Sequence, residues 1–357
     1  MRDVAVVGFA QRQMKEMDGS PTCVEILVPI FAELFEQTGW TKSDIGFWCS
    51  GSSDYLAGRS FSFVSAVDAI GALPPVNESH VEMDAAWALY EAWVKIQTGE
   101  VDTALVYGFG KASAGVLRRT LAMQLDPYTM TPLWPDTVSI AGMQARQGME
   151  QGLWDEKALA EVSARSRTSA TDNENAIRTG VTTVEDVLAE ELYADPLRRS
   201  DCAPVSDGAA AIVLSTADAT GFDKLKRRGH HGRAAWITGF EHRTDQLQLG
   251  TRDLTRSPSA ALAGEAAGAA GVDTAELHAP FSHQELILRR ELGLSDDVTI
   301  NPSGGALSGN PMFASGLIRI GEAARRIWDG ESDRALGHAT SGPALQQNLV
   351  CVMEGRS

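Results

Sequence analysis

Long apolar runs are missing from this sequence. Nowhere in its 357 residues do about 18 apolar residues stand together, so no membrane-spanning helix is predicted. The opening MRDVAVVGFAQRQ is too short an apolar stretch for a secretory signal, and a cytoplasmic protein is expected. Positive charge is also short: 31 Lys and Arg stand against 47 Asp and Glu, a formal net charge of −16. Such a surface repels phosphates and acidic headgroups, which argues against nucleic acid and anionic membranes as partners. An anionic substrate would need a local basic patch. The one dense positive cluster is KLKRRGHHGR, residues 224–233, which suits either a solvated loop or a site for CoA phosphates or an acidic partner. Cysteine is scarce too. Cys23, Cys49, Cys202 and Cys351 form no CxxC and no Cys/His ligand pair, which excludes a disulfide framework and a structural zinc site, and no metal is expected.

What is present is an ordinary globular composition, 43% hydrophobic, in a chain longer than one compact core usually serves. DVAVVGFA (3–10) reads as a buried strand, Cys23 to Thr38 as a helix and DIGFWCSG (44–51) as a second strand. VEMDAAWALYEAW (81–93) reads as the start of a long buried helix running to Thr98, with Glu82 and Asp84 at its N-terminus and Gly99 as its C-cap. DTALVYGFG (102–110) follows as a strand.

IQTGEVDTAL (96–105) recurs as IWDGESDRAL (327–336), identical at six of ten positions with an offset of 231. The same offset lays the helix at 84–92 on the segment 315–323, with Glu91 and Ala92 recurring as Glu322 and Ala323. This agreement predicts a duplicated chain. The second copy reads as a strand AAWITGFEH, a helix around PSAALAGEAAG, a strand TAELHAP, a helix HQELILRREL, the loop NPSGGALSGNP, the repeat helix, and the closing strands ALGHATSG and ALQQNLVCVME. Between the copies, residues 112–205 read as a less regular excursion placed to cover a substrate site. It carries charged helices at EKALAEVSARSRTSA and TVEDVLAEELY. The expected division is a first half over 1–231, containing the excursion, and a second half over 232–357.

With SDGAAAIVL (206–214), HAPFS (278–282) and the Gly-rich NPSGGALSGNP (301–311), the sequence resembles the thiolase superfamily over essentially its whole length. It is most similar to lipid-transfer or sterol-carrier-type members. The resemblance implies an α/β thiolase-like fold: two duplicated βαβαβ halves in five layers, α-β-α-β-α, with an inserted loop domain. It also implies that the helix beginning near Glu82 starts where thiolases carry C-x-S-G, with Glu82 at the cysteine and Asp84 at the serine. No cysteine lies near, so acyl-enzyme chemistry is not expected. The G-H-P triplet of thiolases corresponds to Gly309, Asn310 and Pro311, and His278 stands at a position that is Asn or His in relatives. His338 and Gly342 lie in GHATSGPALQQN, where relatives carry a last catalytic residue and a glycine turn.

For these residues two interpretations stand side by side. Glu82 and Asp84 are either a base or polar organiser in the former nucleophile pocket, or a helix cap. His278 and His338 are either catalytic or hydrogen-bonded core histidines; His283 reads as structural. Asn310 and Gly342 are candidates for substrate contact, and Asn310 also fits a turn. The resemblance points to the thiolase-like aldolases of steroid side-chain degradation: retro-aldol cleavage of a β-hydroxyacyl-CoA, with CoA part of the substrate and no separate cofactor. It implies a homo- or heterodimer with a thiolase-like chain, residues 51–71 lying at that interface, and a small OB-fold, zinc-ribbon partner. A catalytically silent subunit of such a complex is the alternative.

Overall fold

The computed structural model describes residues 2–14, 21–57, 60–219 and 233–356. Most of the basic cluster at 224–233 lies outside them. The strands are β1 (Val4–Met14), β2 (Phe47–Gly51), β3 (Glu78–Val81), β4 (Thr103–Lys111), β5 (Leu192–Ala194), β6 (Leu197–Arg198), β7 (Asp207–Thr216), β8 (Ala234–Thr244), β9 (Thr274–Glu276), β10 (Thr299–Ile300), β11 (Arg334–Ser341) and β12 (Gln347–Arg356). The helices are α1 (Cys23–Thr38), α2 (Asp54–Ala57), α3 (Ser62–Ile70), α4 (Ala85–Gln97), α5 (Leu117–Ala122), α6 (Thr137–Glu150), α7 (Glu156–Ser169), α8 (Val184–Leu188), α9 (Pro258–Ala267), α10 (Ser282–Glu291), α11 (Gly305–Ser308) and α12 (Ser315–Trp328).

Ten strands form one mixed sheet in the order β10-β9-β11-β12-β8-β1-β7-β4-β2-β3. Cut between β8 and β1, it gives two five-stranded halves with the same internal order. In each, the first strand pairs antiparallel with the fifth, the fifth antiparallel with the fourth, and the fourth, second and third run parallel. The duplication seen in ten residues is thus a duplication of topology. Within the sheet, β1 and β8 join the halves through just two residue pairs among the described residues, Ala5 with Trp236 and Val6 with Ala235.

Side-chain alternation along the strands builds the layers. In β7, Ala210, Ile212 and Leu214 pack on the central helices α4 and α12, while Ala209, Ala211 and Val213 pack on α1 and α3. In β12, Leu349, Cys351 and Met353 face inward and Val350 and Val352 face α9 and α10. The result is helix, half-sheet, paired central helices, half-sheet, helix. Glycine sets how closely α4 lies on its sheet. A Cβ on Gly51 would stand 2.4 Å from Ala85 Cα, and one on Gly108 would stand 2.4 Å from the Phe313 carbonyl oxygen and 2.5 Å from Ala85 Cβ.

Some boundaries differ from the sequence reading. Val81 closes strand β3, and α4 begins only at Ala85, because Asp84 is extended and caps the helix. The strand read over TAELHAP ends at Glu276, and the charged segment after Thr183 holds one short helix, α8. The excursion is more regular than expected, since it contains the 14-residue α6. Among the described residues no helix is long and apolar enough to cross a membrane.

Candidate active site

A pocket of about 470 Å³ opens at the carboxyl ends of β9 and β11 and is roofed by the excursion. Its walls are mostly apolar, including Leu117, Leu121, Leu125, Val138, Ile140 and Phe281. Asp84, His278 and Asn310 contribute polar groups to it, and Asp84 is the only carboxylate among the described lining residues.

Asp84 sits where two helix N-termini converge. Its Oδ1 accepts from Ala86 N (2.9 Å) in its own helix and from Leu317 N (3.2 Å) in α12, and its Oδ2 accepts from Gly316 N (3.0 Å). The N-cap of α12 is Ala314, which has no side-chain acceptor, so Asp84 caps this second helix from 232 residues away. Burial drives its pKa up, and the three amide donors pull it back. The backbone before α12 is shaped to match: Phe313 is left-handed (φ 69°), and its carbonyl accepts from Ala85 N (2.9 Å). A non-glycine residue in this region costs about 1–3 kcal/mol.

His278 is held in one tautomer. Its Nδ1 accepts from Thr340 N (3.3 Å), so the proton is on Nε2, which donates to Asn310 Oδ1 (3.0 Å). This orients the Asn310 amide, because an Nδ2 facing the ring would meet another donor. The Nδ2 group is left with no partner among the described residues and is available to a ligand oxygen. Burial, then the neighbouring His338 and Arg319, lower the His278 pKa to about 3, against the Asn310 hydrogen bond. The imidazole is therefore neutral at physiological pH, and both its nitrogens are engaged.

The other candidates are placed differently. Glu82 is half exposed and outside the pocket lining; it accepts from Asp54 N (3.0 Å) and pairs with His80 (3.4 Å). The pocket carboxylate is therefore Asp84, two residues on, because α4 starts after it. His338 is fully buried and also outside the lining. Its Nε2 donates to Asn348 Oδ1 (3.0 Å), and burial lowers its pKa to about 4. Gly342 lines the pocket in a left-handed turn (φ 73°). His283 is buried against Gln144 (2.9 Å). Cys202 is the one cysteine among the described lining residues; burial, then Asp201, push its thiol up to about 12, and Sγ contacts the Arg198 carbonyl (3.5 Å), so it offers no thiolate.

Sequence reasoning missed the basic patch that an anionic ligand requires. Tyr193, on the pocket wall, has the Arg118 and Arg199 guanidinium groups 4.9 and 4.8 Å from its ring centroid. Arg178 donates to the carbonyls of Arg199 (3.1 Å) and Cys202 (2.6 Å). Among the described residues, neither Arg178 nor Arg199 has a carboxylate in ion-pair contact, and Arg118 has only Asp136 at 3.5 Å. These arginines are scattered through the sequence, so nothing in its linear pattern groups them.

The duplicated halves, the paired central helices and a pocket at their N-termini define a protein of α/β thiolase-like fold. The comparisons agree. No protein-family model matches the chain. The acetyl-CoA acetyltransferase of Methanocaldococcus jannaschii is 28% identical, over 90% of this chain and 89% of its own length. Sterol carrier protein 2 of Gallus gallus is 26% identical over 78% of this chain and 56% of its own length. The solved Ltp2-ChsH2(DUF35) aldolase has the same fold, with a TM-score of 0.79, 18% identity and coverage of 99% of this chain and 98% of that one. In sequence the chain is similar to thiolase-type and sterol-carrier proteins, and its fold is thiolase-like.

Proposed function

We propose that the chain is a carbon–carbon lyase that cleaves a β-hydroxyacyl-CoA with a bulky apolar acyl group, such as a steroid side chain, by a retro-aldol reaction. One observation carries this reading: the pocket joins a carboxylate and an amide donor in an apolar chamber and offers no thiolate. Asn310 Nδ2 would hydrogen-bond the thioester carbonyl oxygen, and Asp84 would accept the β-hydroxyl proton. The Cα–Cβ bond then breaks, its electron pair passes into the thioester as an enolate, and the β-carbon leaves as a ketone. Protonation of Cα by the acid so formed yields the short acyl-CoA, so protons and electrons balance without free CoA. His278, with both nitrogens engaged, orients Asn310. The arginines around Tyr193 suit the CoA phosphates.

The aldolase of the same fold is named as a complex with a DUF35 protein, and we extend that to this chain: a small OB-fold, zinc-ribbon partner and a second thiolase-like chain, acting in the cytoplasm. Edge strand β3, paired on one side among the described residues, and the exposed Tyr55, Phe61 and Val64 favour the second chain docking near residues 51–71. In the test, the purified protein, alone and with a co-expressed DUF35 partner, receives a steroid β-hydroxyacyl-CoA without free CoA. Release of ketone and propionyl- or acetyl-CoA in equal amounts is expected. Unchanged substrate in every reconstituted complex would overturn the reading and favour a silent subunit. The three acceptor positions that Asp84 spends on backbone amides are the feature that favours this second reading.

A further inference from the structure

The loop joining β11 to β12 forms one wall of the pocket through Gly342, Pro343, Ala344 and Leu345. It is bent into a conformation its sequence does not favour. Ala344 and Leu345 are consecutive left-handed residues (φ 51° and 57°), and neither is glycine. Something outside the loop must hold it. Arg252 Nη1 donates to the Pro343 carbonyl (3.1 Å) and Nη2 to the Ala344 carbonyl (2.6 Å). Asn348 Nδ2 donates to the Leu345 carbonyl (2.8 Å), and Asn348 is itself oriented by His338.

Arg252 is half-buried and, like Arg178 and Arg199, has no carboxylate in ion-pair contact among the described residues, although the charge of Asp245 acts on it. A guanidinium committed to two adjacent carbonyls acts as a fork that fixes their relative orientation, something a lysine's point charge cannot reproduce.

We propose that Arg252 is the positioning residue for the acyl-binding wall, acting through the Pro343 and Ala344 carbonyls to hold the left-handed loop. His338 supports the same loop from behind through Asn348. This assignment deepens the acyl-CoA reading of the pocket and rests on it for the identity of the ligand.

The test uses Arg252→Ala, Arg252→Lys, Ala344→Gly and the double variant Arg252→Ala/Ala344→Gly in the full chain. Hydrogen exchange of the peptide spanning 340–346 is measured without ligand, and the affinity for a saturated steroid acyl-CoA by calorimetry. Losing two charge-assisted hydrogen bonds is expected to speed exchange and weaken binding by about tenfold or more. Arg252→Lys recovers only part of this. Glycine at 344 removes the conformational penalty, so the double variant recovers most of both quantities. Recovery beyond what Ala344→Gly adds on its own separates a clamp on a strained loop from a general loss of stability. Wild-type exchange in Arg252→Ala, or a double variant as impaired as the single one, overturns the proposal. If wild-type protein binds no acyl-CoA while the exchange pattern holds, the acyl-CoA reading fails and the clamp stands.

Discussion

Asp84 closes two helices at once, and that decides what its replacement does. Each cap contributes about 1–2 kcal/mol, so Asp84→Ala is expected to destabilise the protein by about 2–4 kcal/mol in urea unfolding. Asp84→Asn keeps the volume but turns one acceptor into a donor facing a backbone N–H, and should cost a comparable amount. A loss below about 1 kcal/mol in both would mean the contacts to α12 are dispensable. Asn310 acts on the ligand instead: Asn310→Ala is expected to lower kcat by about 10²–10³-fold with a smaller change in KM, in the lyase assay. A change confined to KM would remove Asn310 from the reacting oxygen. The role of Asp84 as cap of α4 is readable in sequence because it immediately precedes an apolar helical run. Its hold on α12 is not, since a backbone amide 232 residues away leaves no pattern. Glu82 looked equivalent to Asp84 until the helix start was fixed at Ala85.

Among the elements, those with strong local signals were legible. Thr22 and Glu25 form a capping box at the start of α1 and Gly39 ends it left-handed, matching the Cys23–Thr38 reading at both ends. Strand β3 was missed because ESHV, on a sheet edge and partly exposed, has no apolar alternation. Helix α6 was missed because it buries mainly small residues and Gln144 beside its single Ile140, which gives a weak helical stripe. The seat of α4 on β2 and β4 makes a further prediction. In Gly108→Ala the new methyl meets the Phe313 carbonyl and Ala85 at 2.4 and 2.5 Å, neither of which can yield without moving backbone. A loss of about 3 kcal/mol or more, or failure to fold, is expected. A melting temperature within a few degrees of wild type would show that α4 can slide.

At the scale of the molecule, the interior holds three histidines uncharged. Burial lowers the pKa of His278 and His283 to about 3 and of His338 to about 4. Because the folded values lie below the unfolded value near 6.5, stability is complete above that pH and is lost as pH falls towards 4. Each imidazole contributes at most about 1.4 kcal/mol per pH unit over that range. The melting temperature should therefore be flat from pH 7 to 8.5 and fall steeply between 6 and 4.5, with a shallower fall in His283→Gln. A flat profile down to pH 4.5 would mean these rings reach water or a proton acceptor. The duplication was legible at this scale because six identities fell in one turn-and-strand unit. The near absence of hydrogen bonding between the half-sheets was not, because edge pairing leaves no mark on composition.

That narrow joint bears on how the chain is made. By the time residue 216 has been synthesised, β1, β2, β3, β4 and β7 can already pair as a complete five-stranded unit. The side of α4 that carries Tyr90 and Trp93, whose rings pack on Phe240 and His242 of β8, then has no partner, because β8 and α12 have still to emerge. For that interval the nascent chain carries a sticky apolar face, and two such chains on neighbouring ribosomes would pair through it. Release of a truncated first half should therefore give insoluble protein, rescued by supplying residues 233–356 in the same cell.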